Sequence, residues 1–396
     1  MLLRKAIVLI ATGLTVLAGC SKKDGISNTH GSTPAEQDDC MQSAALDNGD
    51  IIEGQYIVVY KPTAVNARGM GVQTITGISE NTLTRHAINK SALRKSFDGA
   101  TGGFVARLSR DEAAKLKTDD EIEAIEPDRI VSLSTCFTVV EPRLVTWNIT
   151  RVGYGNGIGK RAWVIDTGID FDHPDLTVDV AKSKSFISGV TSADDENGHG
   201  THVAGIIGAK NNTFGVLGVA SGATLISCRV LDKDGKGNLS NIIQALSYIS
   251  ANASAGDVVN MSVGDEEGIS EILDQQVKNT AAKGILFAIA AGNESTNANK
   301  YSPGRANGTG IYTVSATDSL DRFASFSNYG NDVVDFAAPG VRILSTYLNN
   351  RYAYMSGTSM AAPHMAGLLL LRGNNITASG SATNDPDGQA DRIAHY

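Results

Sequence analysis

Four separated stretches of this chain carry side chains that can move protons, attack carbonyls or stabilise an oxyanion. Val164-Ile165-Asp166-Thr167-Gly168-Ile169-Asp170 sets Asp166 at the carboxyl end of an apolar strand. A carboxylate against a buried sheet needs a partner, or its charge becomes costly. Asn197-Gly198-His199-Gly200-Thr201-His202-Val203-Ala204-Gly205 puts His199 at the mouth of an apolar, Gly-rich helix. Ala290-Ala291-Gly292-Asn293 ends another apolar strand in an amide. Ser356-Gly357-Thr358-Ser359-Met360-Ala361-Ala362-Pro363-His364-Met365-Ala366-Gly367 opens small and polar, then runs apolar through Leu371 to a stop at Gly373. That pattern predicts a buried helix with Ser359 at its start and Pro363 tolerated in its first turn. The unpaired N–H groups and dipole of such a helix start favour negative charge developing on an attacked carbonyl.

Each residue alone has an ordinary explanation. Asp166 reads as a strand-end turn, Asn293 as a turn amide and Ser359 as an N-cap. His199 reads as a helix-start His or, with His202, as half of a metal pair. A metal pair needs further acidic or His ligands, and the zincin order with Glu directly after the first His is absent. Taken together, the four supply acid, base, nucleophile and neutral donor on what should be one rim. Nucleophilic acyl transfer needs that set: a Ser, a His base, an Asp to hold the imidazole tautomer, and donors for the oxyanion. The G-x-S-x-G elbow of α/β-hydrolases is not matched, because Ser359 lies between Gly357-Thr358 and Met360-Ala361. An esterase is the weaker enzymatic reading, disfavoured by the propeptide-like segment upstream.

The elements that must position these residues begin near Thr146. Apolar strand candidates are 162–165, 225–231, 258–263, 285–290, 311–315 and 341–344. Between several of them lie helical stretches at 199–208, 239–252 and 269–282, with the Ser359 helix last. Near-continuous apolar strands alternating with helices predict an α/β fold with a doubly wound, mostly parallel sheet. Sites in such sheets form at the carboxyl ends of strands. Upstream, 55–60 and 103–108 read as strands and 79–90 as a weakly periodic helix. Ser109 caps a short helix with an acidic first turn, and 122–131 reads as a strand broken at Pro127 and therefore at an edge. This order predicts a small α+β, split-βαβ unit.

The motifs VIDTGID, NGHGTHVAG, AAGN and SGTSMAAPHMAG, with ASFSNYG and DFAAPG between them, resemble those of subtilisin-like serine proteases, leaning toward the proteinase K branch. The likeness covers nearly everything from residue 50 onward. GFVARLSRDEAAKL and IEAIEPDRIV resemble the inhibitory propeptide of the same family, a ferredoxin-like domain that folds first and chaperones the enzyme. The resemblance implies Asp166, His199 and Ser359 as the triad, in the chain order subtilisin uses. It implies Asn293 and the Ser359 N–H as the oxyanion hole. Substrate would add as a strand along a segment matching 260–264, with Ser262, Val263, Gly264, Ala291 and Gly292 walling the S1 pocket. No acidic residue stands among those five, so broad or apolar P1 preference is expected. Asp265 departs from the family's second Gly and affects the S4 side.

By the same resemblance the domains are a lipoprotein signal at 1–19, a polar tether at 20–49, a propeptide at 50–135 and a catalytic domain at 145–396. Self-cleavage is expected between Val131 and Thr146, since Trp147-Asn148-Ile149-Thr150-Arg151-Val152 resembles a mature start. The chain ends soon after the Ser359 helix, so the family's last helices are expected to be shortened. No cofactor is required for the chemistry, and structural calcium is allowed. Asp232-Lys233-Asp234-Gly235-Lys236-Gly237 matches only part of a calcium loop and reads better as a charged turn.

Composition fits this reading. The 396 residues carry a formal charge of −8, which argues against nucleic acid as the main partner. Proteins or peptides are the expected substrates, the propeptide the intramolecular inhibitor, and the enzyme a monomer. Arg4 and Lys5 precede an apolar run ending Leu17-Ala18-Gly19-Cys20, which resembles a bacterial lipoprotein signal with Cys20 the lipidated residue. The protein is thus expected to be exported, membrane-anchored or released after processing. With Cys20 committed, Cys40, Cys136 and Cys228 can form at most one disulfide. The first and last strands of a split-βαβ sheet are neighbours, so a Cys40–Cys136 bridge is preferred, with Cys228 a buried free thiol. The contrasting class is an inactive, displayed scaffold of the same family, disfavoured because all the catalytic residue types are present.

Overall fold

A computed structural model describes residues 41–42, 50–66, 71–99, 101–132, 136–139, 145–264 and 268–396. The signal, most of the tether, Cys20, Cys40 and Asp265 lie outside the described residues, and so does the proposed Cys40–Cys136 bridge.

The upstream part is an antiparallel sheet. Its strands are β2 (Ile51–Tyr60), β3 (Leu93–Phe97), β4 (Gly103–Arg107) and β5 (Ile122–Ser132), in the order β5-β2-β4-β3. Helices α1 (Val72–Arg85) and α2 (Arg110–Leu116) pack on one face. α2 starts with a full capping box, in which the Ser109 side chain accepts from Glu112 N and Glu112 returns to Ser109 N. α1 begins earlier than the 79–90 reading. β3, Leu-Arg-Lys-Ser-Phe, was not foreseen, because its polar residues hide any apolar run. Pro127 does not break β5. It lies where β2 flanks β5 on one side, and a second neighbour, β10 (Lys236–Asn238), joins only from Ile130.

Alternation along β2 divides its side chains between two cores. Val58 and Tyr60 pack under the upstream helices, while Ile57 and Val59 join Phe97 and Val105 in a core shared with the following region. A Cβ on Gly99 would stand 2.4 Å from Ser247 O, which shows how closely the two parts approach.

The larger part is built on a nine-stranded sheet. Its members are β7 (Arg161–Asp166), β8 (Lys184–Ser185), β9 (Thr224–Arg229), β11 (Val258–Met261), β12 (Leu286–Ala290), β13 (Ile311–Thr317), β14 (Val334–Pro339), β17 (Thr377–Ser381) and β18 (Arg392–His395). The order is β17-β18-β14-β13-β12-β11-β7-β9-β8, parallel except for the β17/β18 hairpin. Helices cover both faces, which is why the central strands are apolar along their whole length. These are α3 (Trp147–Val152), α4 (His199–Gly208), α5 (Leu239–Asn252), α6 (Glu271–Ala281) and α7 (Thr358–Arg372). After α7 the described chain forms the β17/β18 hairpin. A separate sheet, in the order β1-β6-β16-β15, is made by β1 (Met41–Gln42), β6 (Cys136–Val139), β15 (Ile343–Tyr347) and β16 (Arg351–Ser356).

Candidate active site

β7 and β11 are neighbours, as are β11 and β12, so their carboxyl ends deliver Asp166, Ser262–Gly264 and Ala291–Asn293 to one rim. α4 brings His199 to Asp166. His199 Nδ1 lies 2.8 Å from Asp166 Oδ1, with both side chains buried. The same oxygen accepts from Thr167 N at 2.7 Å. A carboxylate can only accept, so Nδ1 carries the proton that faces it, and in the neutral ring the lone pair then lies on Nε2. Among the described residues Nε2 has no hydrogen-bond partner, and neither does Asp166 Oδ2.

The approach of α4 depends on two glycines. A Cβ on Gly200 would stand 2.1 Å from Gly168 O, and Gly198, at φ 109°, abuts the Tyr347 ring. Asp195 then organises the helix start. It accepts from Asn197 N, Gly198 N, Thr201 N and Thr201 Oγ1. From β15, Ser345 Oγ, Thr346 Oγ1 and Tyr347 OH donate to the carbonyls of His202, Thr201 and Asn197. The strand pair that leads into α7 therefore also clamps the helix that carries the imidazole.

His202 takes no part in a metal pair. Its Nε2 faces the carbonyl oxygens of Ile343 and Ala353, and burial pushes its pKa down to about 3. Asp232 Oδ1 accepts from Asp234 N and Lys236 N, while Lys233 pairs with Asp234. That is the geometry of a charged turn. Cys228 is a buried free thiol whose pKa burial raises.

Ser359 sits in the first turn of α7, and its hydroxyl donates to Ser262 O at 3.2 Å. The hydroxyl is therefore parked on Ser262, with no hydrogen bond to His199. Resting structures often leave such a bond unmade until substrate arrives. Pro363 falls in the second turn of α7, one turn later than the sequence reading placed it.

Asn293 Oδ1 accepts from Thr358 N at 2.9 Å and from Thr358 Oγ1 at 3.0 Å. A backbone N–H can only donate, so the oxygen of this amide must face Thr358. Nδ2 has no acceptor among the described residues and remains a free donor beside the start of α7. Thr358 was missed in the sequence, since nothing marks it except its place beside the nucleophile. A second omission is the turn at Ser302-Pro303-Gly304. A Cβ on Gly264 would meet Ser302 O and Pro303 Cδ, so this turn backs the wall formed by 262–264.

The upstream domain reaches the same region through two carboxylates. Asp128 accepts from Ser240 N at 2.9 Å and Ser240 Oγ at 2.6 Å, capping α5. Glu126 accepts from Ser270 Oγ at the N-cap of α6. Lys95, on β3, donates to Phe186 O at 2.7 Å.

A Ser hydroxyl, an imidazole held by a carboxylate and a free amide donor on one rim are the parts of an acyl-transfer hydrolase. Comparison with known proteins agrees. The sequence pattern of the subtilase family matches residues 163–379, and that of peptidase inhibitor I9 matches 55–134. The chain is 35% identical to the Extracellular serine proteinase of Thermus sp. (strain Rt41A), over 91% of this chain and 87% of that one. It is 35% identical to Alkaline serine exoprotease A of Vibrio alginolyticus over 81% of this chain, but spans only 60% of that relative. The crystal structure of a cold adapted subtilisin-like serine proteinase superposes with a TM-score of 0.56 at 34% identity, covering 64% of this chain and 98% of the other. The chain belongs to the subtilase family. It is a serine endopeptidase that carries an I9-type propeptide domain ahead of its catalytic part.

Proposed function

We propose that Asp166, His199 and Ser359 form the working triad of an exported, self-processing endopeptidase of the proteinase K-like branch. The observation that carries this reading is the buried 2.8 Å contact between His199 and Asp166, with Nε2 unpartnered on the rim that holds Ser359. When a peptide carbonyl enters, the Ser359 hydroxyl leaves Ser262 O and turns to Nε2, which takes its proton as Oγ attacks. Asp166 stabilises the imidazolium so formed. The carbonyl oxygen, now anionic, is received by the Ser359 N–H and Asn293 Nδ2. His199 then protonates the departing amine, and water hydrolyses the acyl-enzyme by the same steps in reverse order.

Ser262, Val263, Gly264, Ala291 and Gly292 wall the S1 pocket, and their lack of charge favours apolar or broadly assorted P1 side chains. The catalytic part, 145–396, is released from the propeptide, 50–135, by its own action. Cys20, directly after the signal 1–19, carries a lipid anchor at the head of the tether 20–49, and the mature enzyme is a monomer. Export is supported by the apolar N-terminal run and by the name of the Thermus relative. Structural calcium would raise thermal stability, and a lower melting temperature in the presence of chelator is the test for it.

Ser359→Ala is the direct test. The variant should accumulate as intact precursor and leave casein uncut. Normal processing of that variant would refute the triad and favour a displayed scaffold.

A further inference from the structure

Between the two matched regions, 55–134 and 163–379, lies a strand for which neither accounts. β6 adds antiparallel to β16, with Val139 opposite Ala353 and Cys136 opposite Ser356. β16 continues through Gly357 and Thr358 into Ser359, so β6 lies beside the last extended residues before the nucleophile. The other edge of β16 is already paired with β15. β6 thus takes the edge that β16 would otherwise leave open. Its own outer edge is covered by β1, with Met41 opposite Phe137 and Gln42 opposite Cys136.

An extended peptide crossing Ser359 has an acyl half and an amine half. The acyl half is offered the backbone of 262–264. The amine half needs unpaired N–H and C=O groups on the opposite side of the nucleophile, and the β16 edge at Ser356 would present such a row once β6 left it. We propose that β6 is a second inhibitory element, separate from the I9-type domain, which occupies the β16 edge that receives the leaving half of a substrate. This rests on the triad reading above.

The placement has a consequence for activation. β6 lies between the I9 match and α3, so a cut on its N-terminal side leaves it joined to the catalytic part. A strand held by a short connection competes at an effective concentration in the millimolar range. Losing the I9-type domain therefore does not by itself clear the edge. β6 must be trimmed away or displaced before long peptides are cut at full rate. Substrates with nothing beyond the scissile bond do not need that edge.

The test uses the full chain, expressed and allowed to process, with the N-terminus of each form read by mass spectrometry. Each sample is assayed on a peptide p-nitroanilide, which has no residue beyond the scissile bond, and on an internally quenched peptide extending several residues past it. The ratio of the two kcat/KM values cancels the fraction of enzyme still held by the I9-type domain. Forms beginning at or before Cys136 should show a ratio at least ~10-fold below that of forms beginning after Val139. Neighbouring N–H groups on β6 face opposite edges, so one of Phe137→Pro and Thr138→Pro removes a bond to β16. That variant should raise the ratio in the untrimmed form. Equal ratios in trimmed and untrimmed forms, or no change in either proline variant, would overturn the proposal. Loss of both activities in every form would overturn the triad assignment and the proposal with it.

Discussion

Ser262 Oγ donates at 2.8 Å to the carbonyl oxygen of Ser359, the acceptor that Pro363 leaves without its helical N–H. A proline cannot supply the bond from residue i to i−4, so a buried carbonyl in the nucleophile's own turn would go unpaired. Ser262 fills that gap, and Asn260 Nδ2 in turn donates to Ser262 Oγ at 2.9 Å. The wall of the substrate cleft and the helix of the nucleophile are thereby joined.

Ser262→Ala should cost about 1–3 kcal/mol of stability, because it leaves that carbonyl unsatisfied. Pro363→Ala restores an N–H at the right place, so Ser262→Ala should cost less in that background. Denaturant titration of the four proteins in a double-mutant cycle measures the difference. Strict additivity would show that the two residues do not compensate one another.

Asn293→Ala should lower kcat by roughly 10²–10³ with little change in KM, the signature of a donor used only in the transition state. Steady-state kinetics on a small anilide substrate checks this. A change confined to KM would place Asn293 in ground-state binding instead.

The central sheet, α4 and α5 were legible because apolar runs and 3.6-residue periodicity survive burial on both faces. His199 and Asp166 were legible because their motifs are short and local. Thr358 was not, since its role exists only once Asn293 arrives from a strand far away in sequence. The Ser302-Pro303-Gly304 turn was hidden for the same reason. β6 and β16 escaped notice because their pairing joins distant segments that carry no turn signal between them. Pro363 falls in the second turn because α7 already starts at Thr358, with Gly357 as its cap, and neither marks itself in the sequence.

Asp128→Ala removes a carboxylate that caps α5 from the neighbouring domain. Charge-assisted bonds of this kind are worth about 1.5–3 kcal/mol, so inhibition by the propeptide should weaken roughly 10- to 100-fold. The measurement is the appearance of activity over time after expression, which should come earlier in the variant. An unchanged time course would show that Ser240 needs no outside partner.

Asp391 is buried with its Oδ2 accepting from Ser315 Oγ at 2.6 Å, and burial, reinforced by Asp385, Asp387 and Asp335, lifts its pKa to about 7. Its folded pKa exceeds the unfolded value, so the native state holds the proton more tightly. Stability should therefore fall as pH rises from about 4 to about 7, by on the order of a few kcal/mol. Asp391→Asn keeps an acceptor for Ser315 and removes the charge. In a Ser359→Ala background, the variant should melt higher than its parent at pH 8 and equally at pH 4, by roughly 2–4 °C for each kcal/mol. Parallel melting curves at all pH values would refute the assignment.

The two helices whose starts receive Asp128 and Glu126 belong to the part of the chain that outlives the donor of those carboxylates. While the halves are one chain, that contribution is present at the high local concentration of a tether and favours the folded form by linkage. Once the bond between them is cut, dilution and digestion can remove it for good. On the self-processing reading, the mature enzyme works without the two carboxylates that the precursor places at the starts of α5 and α6.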